Sequence, residues 1–506
     1  MGFRWTKRPP AAQRNVPSWF LADIDAAVRI EQLIDPALSE GYTLLAAHAA
    51  GVEPSLTTAT YARHIARNQQ PDGYWSTFDG RPPHSAGLFV ATAVALRAVS
   101  LYLPAASHSG PDAYLNRARV WLANATPEST EDLTYRLLGL VWSAAAPEQV
   151  KAAGAALAAV QRTDGGWGQL PAMPASDAYS TAQALYALRR AGFFAAASPA
   201  FQRGIEWLLK NQAPDGSWLV RSRIKTPAAV SPPYFESGFP YGHDQYLSCA
   251  ATAWAVMALT EALPPVAAPA RPLPLRTVTP KAEPWMETAL FGTPAQVAQL
   301  NPRLATPAGT TVLLMAADSP AKVRELLARG AKVNAAAQSG HDALMVAALF
   351  RDNRETLATL LKAGATAKAR AKVRYGANPL SIATITGDVE MVRLLLDAGS
   401  DPNHVFRLLG QTPVTPLALA AQFDSAGLIY ALVKGGARMD LTDPDGMTEL
   451  AWAALVHKDA SVRALLELGA DPKVKDRFGL TPLEHAKGIE FSSDETEKLI
   501  RARIAR

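Results

Sequence analysis

Residues 212–218 read Gln-Ala-Pro-Asp-Gly-Ser-Trp, and the same pattern, Gln-x-x-Asp-Gly-x-Trp, occurs at residues 69–75 and 161–167. Each copy follows a helix-like stretch and places a Pro-Asp-Gly or Thr-Asp-Gly turn before a tryptophan that looks exposed. Glycine suits the positive φ at such a turn, and glutamine can satisfy backbone groups left unpaired at a helix end. The tryptophan offers a flat face on which the glutamine or the next repeat can stack. The pattern therefore predicts a staple between helical hairpins, and it indicates fold more strongly than chemistry.

This pattern resembles the QW motif of the squalene-hopene cyclase and prenyltransferase superfamily, whose members fold as α/α toroids. The resemblance covers roughly residues 20–263, about half of the chain. It implies a terpenoid-cyclase-like α/α toroid, with inner helices surrounded by outer ones. It implies less about activity, because the same toroid serves cyclases, protein prenyltransferases and relatives that are not enzymes.

Apolar stretches separated by short turns predict a series of helices in this part of the chain. The second member of each pair is rich in alanine and apolar on nearly all sides, which is typical of an inner helix, whereas a Lys/Arg/Glu face is typical of an outer one. We count about ten helices, which leaves open whether the toroid is closed or incomplete. The candidates include 41–50, 55–69, 85–103, 112–124, 130–144, 147–162, 177–192, 199–212 and 246–263.

The bulk composition favours a globular protein with more than one domain. A chain of 506 residues is too long for one ordinary core, and 49% hydrophobic with 19% charged residues is typical of folded domains. The net charge of +5 comes from 50 basic and 45 acidic residues without a long basic run. This balance does not predict nucleic-acid binding.

The single cysteine, Cys249, excludes an intrachain disulfide, and its apolar helical surroundings predict a buried thiol. The N-terminus carries charge but lacks the apolar segment of a secretory signal peptide, and no stretch predicts a transmembrane helix. The protein is therefore expected to be cytoplasmic, or exported or periplasmic if its N-terminus is truncated.

A second repeat begins after a proline-rich segment. Residues 264–284 hold seven prolines without a periodic apolar pattern, which predicts a semi-rigid linker. Beyond it, phrases such as Leu-Leu-x-x-Gly-Ala recur at spacings of 34, 35, 37 and 33 residues, and two helix openings read Thr-Pro-Leu. This period resembles ankyrin repeats, in which the glycine ends one helix in a left-handed cap and Thr-Pro begins another.

The predicted fold class is therefore all-α, a terpenoid-cyclase-like α/α toroid followed by an ankyrin-repeat solenoid. The toroid can be incomplete, and the solenoid is expected to hold about five repeats with partial caps at 286–300 and 480–506. The expected boundaries are an N-terminal tail at 1–20, the toroid at 21–263, the linker at 264–284 and the ankyrin repeats at 285–506.

The resemblance to class II terpene cyclases implies an Asp-x-Asp-Asp-Thr-Ala motif at the start of an inner helix, with the middle Asp protonating an alkene. Residues 177–182 read Asp-Ala-Tyr-Ser-Thr-Ala instead, so Tyr179 stands at the acid position. A phenol with a pKa of about 10 cannot replace a carboxylic acid with a pKa near 4. Cyclisation started by protonation is therefore not expected.

The resemblance to protein prenyltransferases implies a zinc ion held by an Asp, a Cys and a His. Tyr179 again stands where the pattern needs Cys, and the lone Cys249 lies in another helix, close to His243 and Asp244. Convergence of three such ligands is not expected from these positions. No metal site and no cofactor are therefore predicted.

Polar and aromatic residues cluster just before the predicted inner helices, which in a toroid begin on one rim. Two interpretations stay open: the acids are helix caps with structural histidines beside them, or the cluster contacts a ligand at the mouth of a central cavity. If the protein is an enzyme, the expected catalytic residues are Asp177, Tyr179, His243 and Asp244. The ligand-binding candidates are Arg81, His84, Tyr234, Glu236, Phe239, Tyr241, Gln245 and Tyr246.

The leading hypothesis is a binding or scaffold protein whose toroid is catalytically degenerate or holds an apolar ligand. Its ankyrin repeats would engage a protein partner through their concave surface, which is built from loops and first helices. The alternative is an enzyme acting on an isoprenoid or other apolar chain, like a terpene cyclase or prenyltransferase. The residues expected on the concave surface are Phe350, Arg351, Tyr375, Phe406, Arg407, Phe423 and His457.

Overall fold

The computed structural model describes most of the chain, and the regular structure in the described residues is helical apart from one short hairpin. The predicted tail at 1–20 lies outside the described residues, and so does most of the predicted linker. The described ranges are 23–30, 35–77, 87–105, 110–224, 238–264, 282–368, 373–408, 412–490 and 493–505.

The N-terminal half has helices where the apolar spacing predicts them, with ends that differ by a few residues. A helix at Ile24–Arg29 and a π-helical turn at Pro36–Glu40 precede the first predicted helix. The helices are α1 (Ile24–Arg29), α2 (Gly41–Ala49), α3 (Leu56–Arg67), α4 (Leu88–Tyr102), α5 (Gly110–Asn124), α6 (Thr130–Trp142), α7 (Pro147–Ala159), α8 (Ala178–Arg190), α9 (Pro199–Lys210) and α10 (Gln245–Thr260).

These helices form two layers. Helices α2, α4, α6, α8 and α10 pack side by side in chain order as an inner row, and α3, α5, α7 and α9 pack on the outside of that row. Because α10 is the last helix of the row, one of its faces is left uncovered, with Cys249, Val256 and Met257 exposed. The prediction that Cys249 is buried is therefore wrong.

The three Gln-x-x-Asp-Gly-x-Trp segments each join an outer helix to the next inner helix through the same bonds. In the second copy, the fully buried Trp167 donates from its indole Nε1 to the carbonyl oxygen of Leu157, 2.9 Å away, and from its backbone N to Thr181 Oγ1 at 2.9 Å. The tryptophans are therefore buried anchors, and the expectation of exposed stacking faces is wrong. Equivalent indole bonds join Trp75 to the carbonyl of Ile65 (2.6 Å) and Trp218 to that of Leu208 (2.8 Å).

The glutamine and glycine of the same segment position the following outer helix. The Gln161 amide donates to the carbonyl oxygens of Gly165 (2.9 Å) and Ala200 (2.8 Å), so it satisfies backbone groups as predicted. Gly165 has φ of +92°, and a Cβ at this position would lie 2.6 Å from the carbonyl oxygen of Arg203 in α9. Only glycine permits both the left-handed turn and this close approach.

In the described part of the C-terminal half, helices follow one another in pairs. A short antiparallel hairpin, β1 (Phe406–Leu408) with β2 (Thr412–Val414), extends the loop before one of the pairs. The pairs are α11 (Pro284–Phe291) with α12 (Pro294–Val297), α13 (Val312–Met315) with α14 (Pro320–Ala328), α15 (Ala343–Ala348) with α16 (Arg354–Lys362), α17 (Pro379–Thr386) with α18 (Val389–Asp397), α19 (Pro416–Gln422) with α20 (Ala426–Lys434), α21 (Glu449–Leu455) with α22 (Asp459–Glu467), and α23 (Pro482–His485) with α24 (Glu495–Ile504).

The ends of these helices have the predicted chemistry. Thr415 caps α19 by accepting a bond from the backbone N of Ala418 at 3.1 Å, and Pro416 occupies the first helical position. The second helices end at glycines in the left-handed conformation, where a side chain would be strained. These glycines are Gly330, Gly364, Gly399, Gly436 and Gly469.

The N-terminal half contacts both ends of the repeat stack. At one end, Thr306 donates to Asp25 of α1 at 2.5 Å, Arg29 donates to Thr310, and α1 also contacts α15. Residues 306–310 form a loop before a first helix, and α15 is itself a first helix, so α1 lies on the concave side of the stack. At the other end, Ile224 forms a β-bridge with Ile489.

A buried cluster of charges joins α3 to the first repeats. Arg63 donates to the carbonyl oxygen of Leu290 at 3.0 Å and forms an ion pair with Asp318 at 3.2 Å. Its guanidinium lies over the rings of Phe291 and Phe350, 5.5 and 5.1 Å from their centroids. Burial lowers the pKa of Arg63, which shows that the surroundings disfavour its charge.

Two further cations face the same carboxylate. Lys322 donates to the carbonyl oxygens of Ala289 (3.2 Å) and Leu290 (3.0 Å), and burial lowers its pKa as well. Arg67 lies 3.9 Å from Asp318 and donates to its backbone carbonyl at 3.1 Å. Asp318 therefore compensates buried positive charge contributed by both halves of the chain.

Asp318→Asn is expected to lower the free energy of unfolding by about 3–5 kcal/mol, because it leaves buried cations without their counter-charge. Chemical denaturation measures the change. The matched control is Glu355→Gln, which removes a carboxylate from the exposed pair with Arg324 and should change stability little. Equal small effects of the two substitutions would mean that the Asp318 cluster does not hold the halves together.

Candidate functional site

The structure places the first two candidate catalytic residues at the start of α8. Asp177 is the N-cap: its Oδ1 accepts from the backbone N of Ser180 at 2.9 Å, and burial raises its pKa to about 6. Tyr179 is fully buried and donates from its hydroxyl to Glu131 Oε1 at 2.5 Å. Burial raises the pKa of Tyr179 well above its usual value, so the phenol keeps its proton and acts as a hydrogen-bond donor.

Three residues that sequence reasoning missed surround this pair. Glu131, the second residue of α6, accepts the Tyr179 hydroxyl, and Arg223 interacts electrostatically with both Glu131 and Asp177. Tyr135, one turn further along α6, has its hydroxyl 2.9 Å from that of Tyr42. Glu131 lies in Ser129-Thr130-Glu131-Asp132, where a capping box accounts for the acids at the helix start, so the sequence carries no signal that one of them points inward.

A buried side-chain amide without hydrogen bonds to the described residues lies in the same helix as Tyr179. Gln183 is fully buried, and neither its Nε2 nor its Oε1 has a hydrogen-bond partner in the part of the chain that the structure describes. It is one helical turn beyond Tyr179, and residues at this spacing share a face of the helix. A buried amide without a partner costs free energy, so a polar group of a bound molecule at this face would be stabilised.

The other two candidate catalytic residues lie before α10 and hold a different segment. His243 Nε2 is 3.0 Å from the carbonyl oxygen of Ile224, and Asp244 Oδ1 accepts from the backbone N of Ser222 at 2.8 Å. Asp244 occupies the N-cap position of α10, but its side chain makes no capping bond, so the interpretation of the two acids as helix caps holds for Asp177 and not for Asp244. The four candidate catalytic residues thus fall into two groups, Asp177 with Tyr179 and the pair His243 and Asp244 that bonds to residues 222–224.

The remaining rim candidates have varied positions. Tyr241 has φ of +87° and its hydroxyl lies 2.6 Å from Ser217 Oγ, while its ring is 6.4 Å from that of Phe239. Gln245 is fully buried and begins α10, and Tyr246 beside it is half-buried. The other predicted ligand contacts lie outside the described residues; they are Arg81, His84, Tyr234 and Glu236.

No group of three or more His, Cys, Asp or Glu in the described part of the chain is placed to hold a metal ion. In particular, Cys249 is exposed on α10, whereas His243 and Asp244 bond to residues 222–224. Among the helices of the described ranges, none combines the length and apolar character needed to cross a membrane.

The concave side of the ankyrin half differs from the expectation at two aromatic residues. Phe350 is buried because the guanidinium groups of Arg63 and Arg67 cover it, and Phe406 is buried in the hairpin. Neither can present a side chain to a partner. Together with α1, these contacts cover the concave side of the first repeats with the chain's own N-terminal half.

Further along the stack, the hairpin and the next loop border a recess of about 300 Å³ beside Trp452. We call it the Trp452 recess. Val405 at its edge is 53% exposed, so the recess is open to solvent. Its walls are mostly apolar, and two carboxylates reach it. The residues that define it are Val405, Val414, Leu441, Met447 and Trp452, with Asp443 and Glu449.

The two carboxylates have different surroundings. Asp443 accepts bonds from the backbone N of Asp445 and of Met447, both at 2.9 Å, and from the indole of Trp452 at 3.0 Å. Glu449 is 2% exposed, and its Oε2 has no hydrogen-bond partner among the described residues. Burial raises the pKa of Glu449 to about 7, and the nearby Asp440 and Asp443 act in the same direction.

Glu449 also departs from the internal pattern of the repeats. Thr448 caps α21, which makes Glu449 the first residue of the helix in a Thr-Glu-Leu opening. Other described first helices begin with an uncharged residue at this position: Val312, Ala343, Pro379, Pro416 and Pro482. A comparison of the Thr-Pro-Leu openings with Thr-Glu-Leu is the sequence signal that could have identified this residue.

One family model matches within this half of the chain. Residues 313–405 match the family model described as Ankyrin repeats, in three copies. The C-terminal half carries ankyrin repeats. Over 98 residues, 19% of the chain, the protein is 48% identical to SH3 and multiple ankyrin repeat domains protein 2 of Homo sapiens, of which it spans 5%.

Two other similarities involve larger shares of the matched proteins. The chain is 29% identical over 175 residues, 34% of its length, to the putative ankyrin repeat protein YahD of Escherichia coli (strain K12), and this covers 84% of that protein. A crystal structure of the human ASB11 ankyrin repeat domain aligns with 44% of the chain and 98% of that domain, at 24% identity and a TM-score of 0.38.

Glu449→Gln is expected to stabilise the protein above neutral pH. With a folded pKa of about 7 against 4.5 in the unfolded chain, the folded state binds more protons between these values, so stability falls as pH rises through this range. Gln removes this penalty. The gain in the free energy of unfolding should be larger at pH 8 than at pH 4.5 by on the order of 2–3 kcal/mol.

Denaturation of wild type and variant at both pH values measures this difference. Glu325→Gln, at an exposed position of α14, is the charge-matched control and should show no such pH dependence. A Glu449→Gln effect that is the same at both pH values would contradict the raised pKa.

Proposed function

We propose that the protein is a protein-binding scaffold whose ankyrin repeats engage a partner at the Trp452 recess. The open recess is the observation that carries the proposal. Ankyrin stacks bind proteins through loops and first helices. Here α1 and α3 cover this side at the first repeats, whereas Val405 and the recess remain exposed between the hairpin and α21. The matched relatives named above are themselves described as ankyrin repeat proteins.

We further propose that the N-terminal half is a terpenoid-cyclase-like toroid, closed or incomplete, that is catalytically degenerate. The inner and outer rows and the three tryptophan staples support this relationship. The geometry at the acid position supports loss of the class II reaction, because the Tyr179 hydroxyl donates to Glu131 and keeps its proton. In this proposal the N-terminal half is a non-catalytic domain that the Asp318 cluster holds against the repeats.

A capture experiment with matched variants tests the scaffold function. Val405→Arg places a long side chain at the edge of the recess, and Val120→Arg makes the same change on α5, where the valine is 62% exposed. A partner identified by cross-linking and mass spectrometry should bind the purified Val120→Arg protein like wild type and bind Val405→Arg at least about tenfold more weakly. Equal binding to both variants, or failure to identify a specific partner, would contradict the proposal.

A second candidate function is the binding of an isoprenoid or other apolar chain by the inner row, as a carrier or as an enzyme acting on that chain. The unpartnered amide of Gln183 favours it, because a bound molecule with a polar group would satisfy this buried side chain. Lipid extraction of the purified protein followed by mass spectrometry tests it. A stoichiometric isoprenoid that is lost in Gln183→Leu is the expected result, and an extract without a specific apolar compound would argue against it.

A further inference from the structure

The Trp452 recess combines apolar walls with a buried carboxylate at the start of a helix. Val414, Leu441 and Met447 supply aliphatic surface, and the indole of Trp452 supplies an aromatic one. Among the described residues, no donor lies within hydrogen-bond distance of Glu449 Oε2. A long side chain with an aliphatic stem and a charged, donor-rich end matches this combination.

The other carboxylates near the recess already have partners. Asp440 pairs with Arg438 at 2.8 Å, and Asp445 pairs with Arg477 at 3.0 Å. Asp443 is satisfied by two backbone amides and the Trp452 indole. A similar bond joins Asp476 to His485 at 2.9 Å in the next helix pair, which marks the Asp443 bond as part of the repeat structure. Glu449 therefore differs from these carboxylates, because its Oε2 has no hydrogen-bond partner among the described residues.

We propose that the Trp452 recess takes a single arginine side chain of a protein partner, with the guanidinium bound to Glu449 and the aliphatic stem against Val414, Leu441 and Met447. This inference rests on the proposed protein-binding function and specifies the chemistry of the partner. An apolar side chain would leave the buried carboxylate uncompensated, and an acidic one would be repelled by Asp443 and Glu449.

Arginine fits better than lysine for two reasons. Its planar guanidinium can donate two parallel bonds to a carboxylate and can also stack on an aromatic ring such as that of Trp452. Burial raises the pKa of Glu449 to about 7, and a cation beside this group would favour its ionised form.

The test uses butylguanidinium as the probe and butylurea as its uncharged match of nearly the same shape. The full chain is labelled with ¹⁵N at its tryptophan indoles, and the Trp452 signal is assigned with Trp452→Phe. Butylguanidinium should shift this signal in a saturable way, and butylurea should bind at least about tenfold more weakly. Glu449→Gln should weaken butylguanidinium binding at least about tenfold, whereas the exposed control Glu325→Gln should leave it unchanged.

If the indole signals of the other tryptophans are the same in Glu449→Gln as in wild type, the variant is folded. The expected gain in the free energy of unfolding above neutral pH is a second check on its fold. Equal binding of the two probes, or of butylguanidinium to wild type and Glu449→Gln, would overturn the arginine site. If a partner binds wild type but not Val405→Arg, and butylguanidinium does not bind, the scaffold function stands and only the arginine inference is overturned. Specific guanidinium binding without any protein partner would establish a guanidinium site but would contradict the protein-binding function on which the inference rests.

Discussion

The N-terminal half depends on one repeated interaction, an indole N–H bound to a helix carbonyl ten residues earlier. The bond fixes the turn that follows an outer helix, while the backbone N of the same tryptophan bonds to a threonine of the next inner helix. Each segment therefore sets both the distance and the direction between the two layers. The glycine of the turn then allows the following outer helix to approach to contact distance.

This rigid arrangement positions α1 and α3 against the repeats. The Arg63, Arg67 and Lys322 cations are taken out of water at the junction, and their desolvation is offset by Asp318, backbone carbonyls and two phenylalanine rings. The consequence for function is that the chain covers part of its own concave surface. In the proposed scaffold function, a partner would bind the loops of the later repeats, where the Trp452 recess is open.

Glu449 illustrates a conflict between stability and binding. A proline at this helix position, as in α19 and α23, removes an unneeded donor and carries no charge, whereas a buried carboxylate lowers stability wherever it ionises. Thr448 makes the capping bond of this helix, and Asp443 makes the bond to the Trp452 indole. The proposed binding role would give the Glu449 carboxylate a function that offsets its cost to stability above neutral pH.

The amino-acid sequence predicts the features that depend on neighbours along the chain. The positions of the helices, the glutamine and glycine roles in the staples, and the capped ankyrin period follow from local spacing, because turns and caps are built from residues close in sequence. The Thr-Glu-Leu departure was also present there, although only comparison among the repeats reveals it.

Which of these residues are buried, and what they contact, depends on how the helices pack in three dimensions. Glu131 meets Tyr179 across 48 residues, and Arg63 reaches Leu290 across 227, so no local pattern could pair them. Exposure of Cys249 follows from the place of α10 at the end of its row, and burial of Phe350 follows from the approach of α3. Burial and charge pairing arise between segments that are distant in the chain, and their positions are set when the two halves pack together.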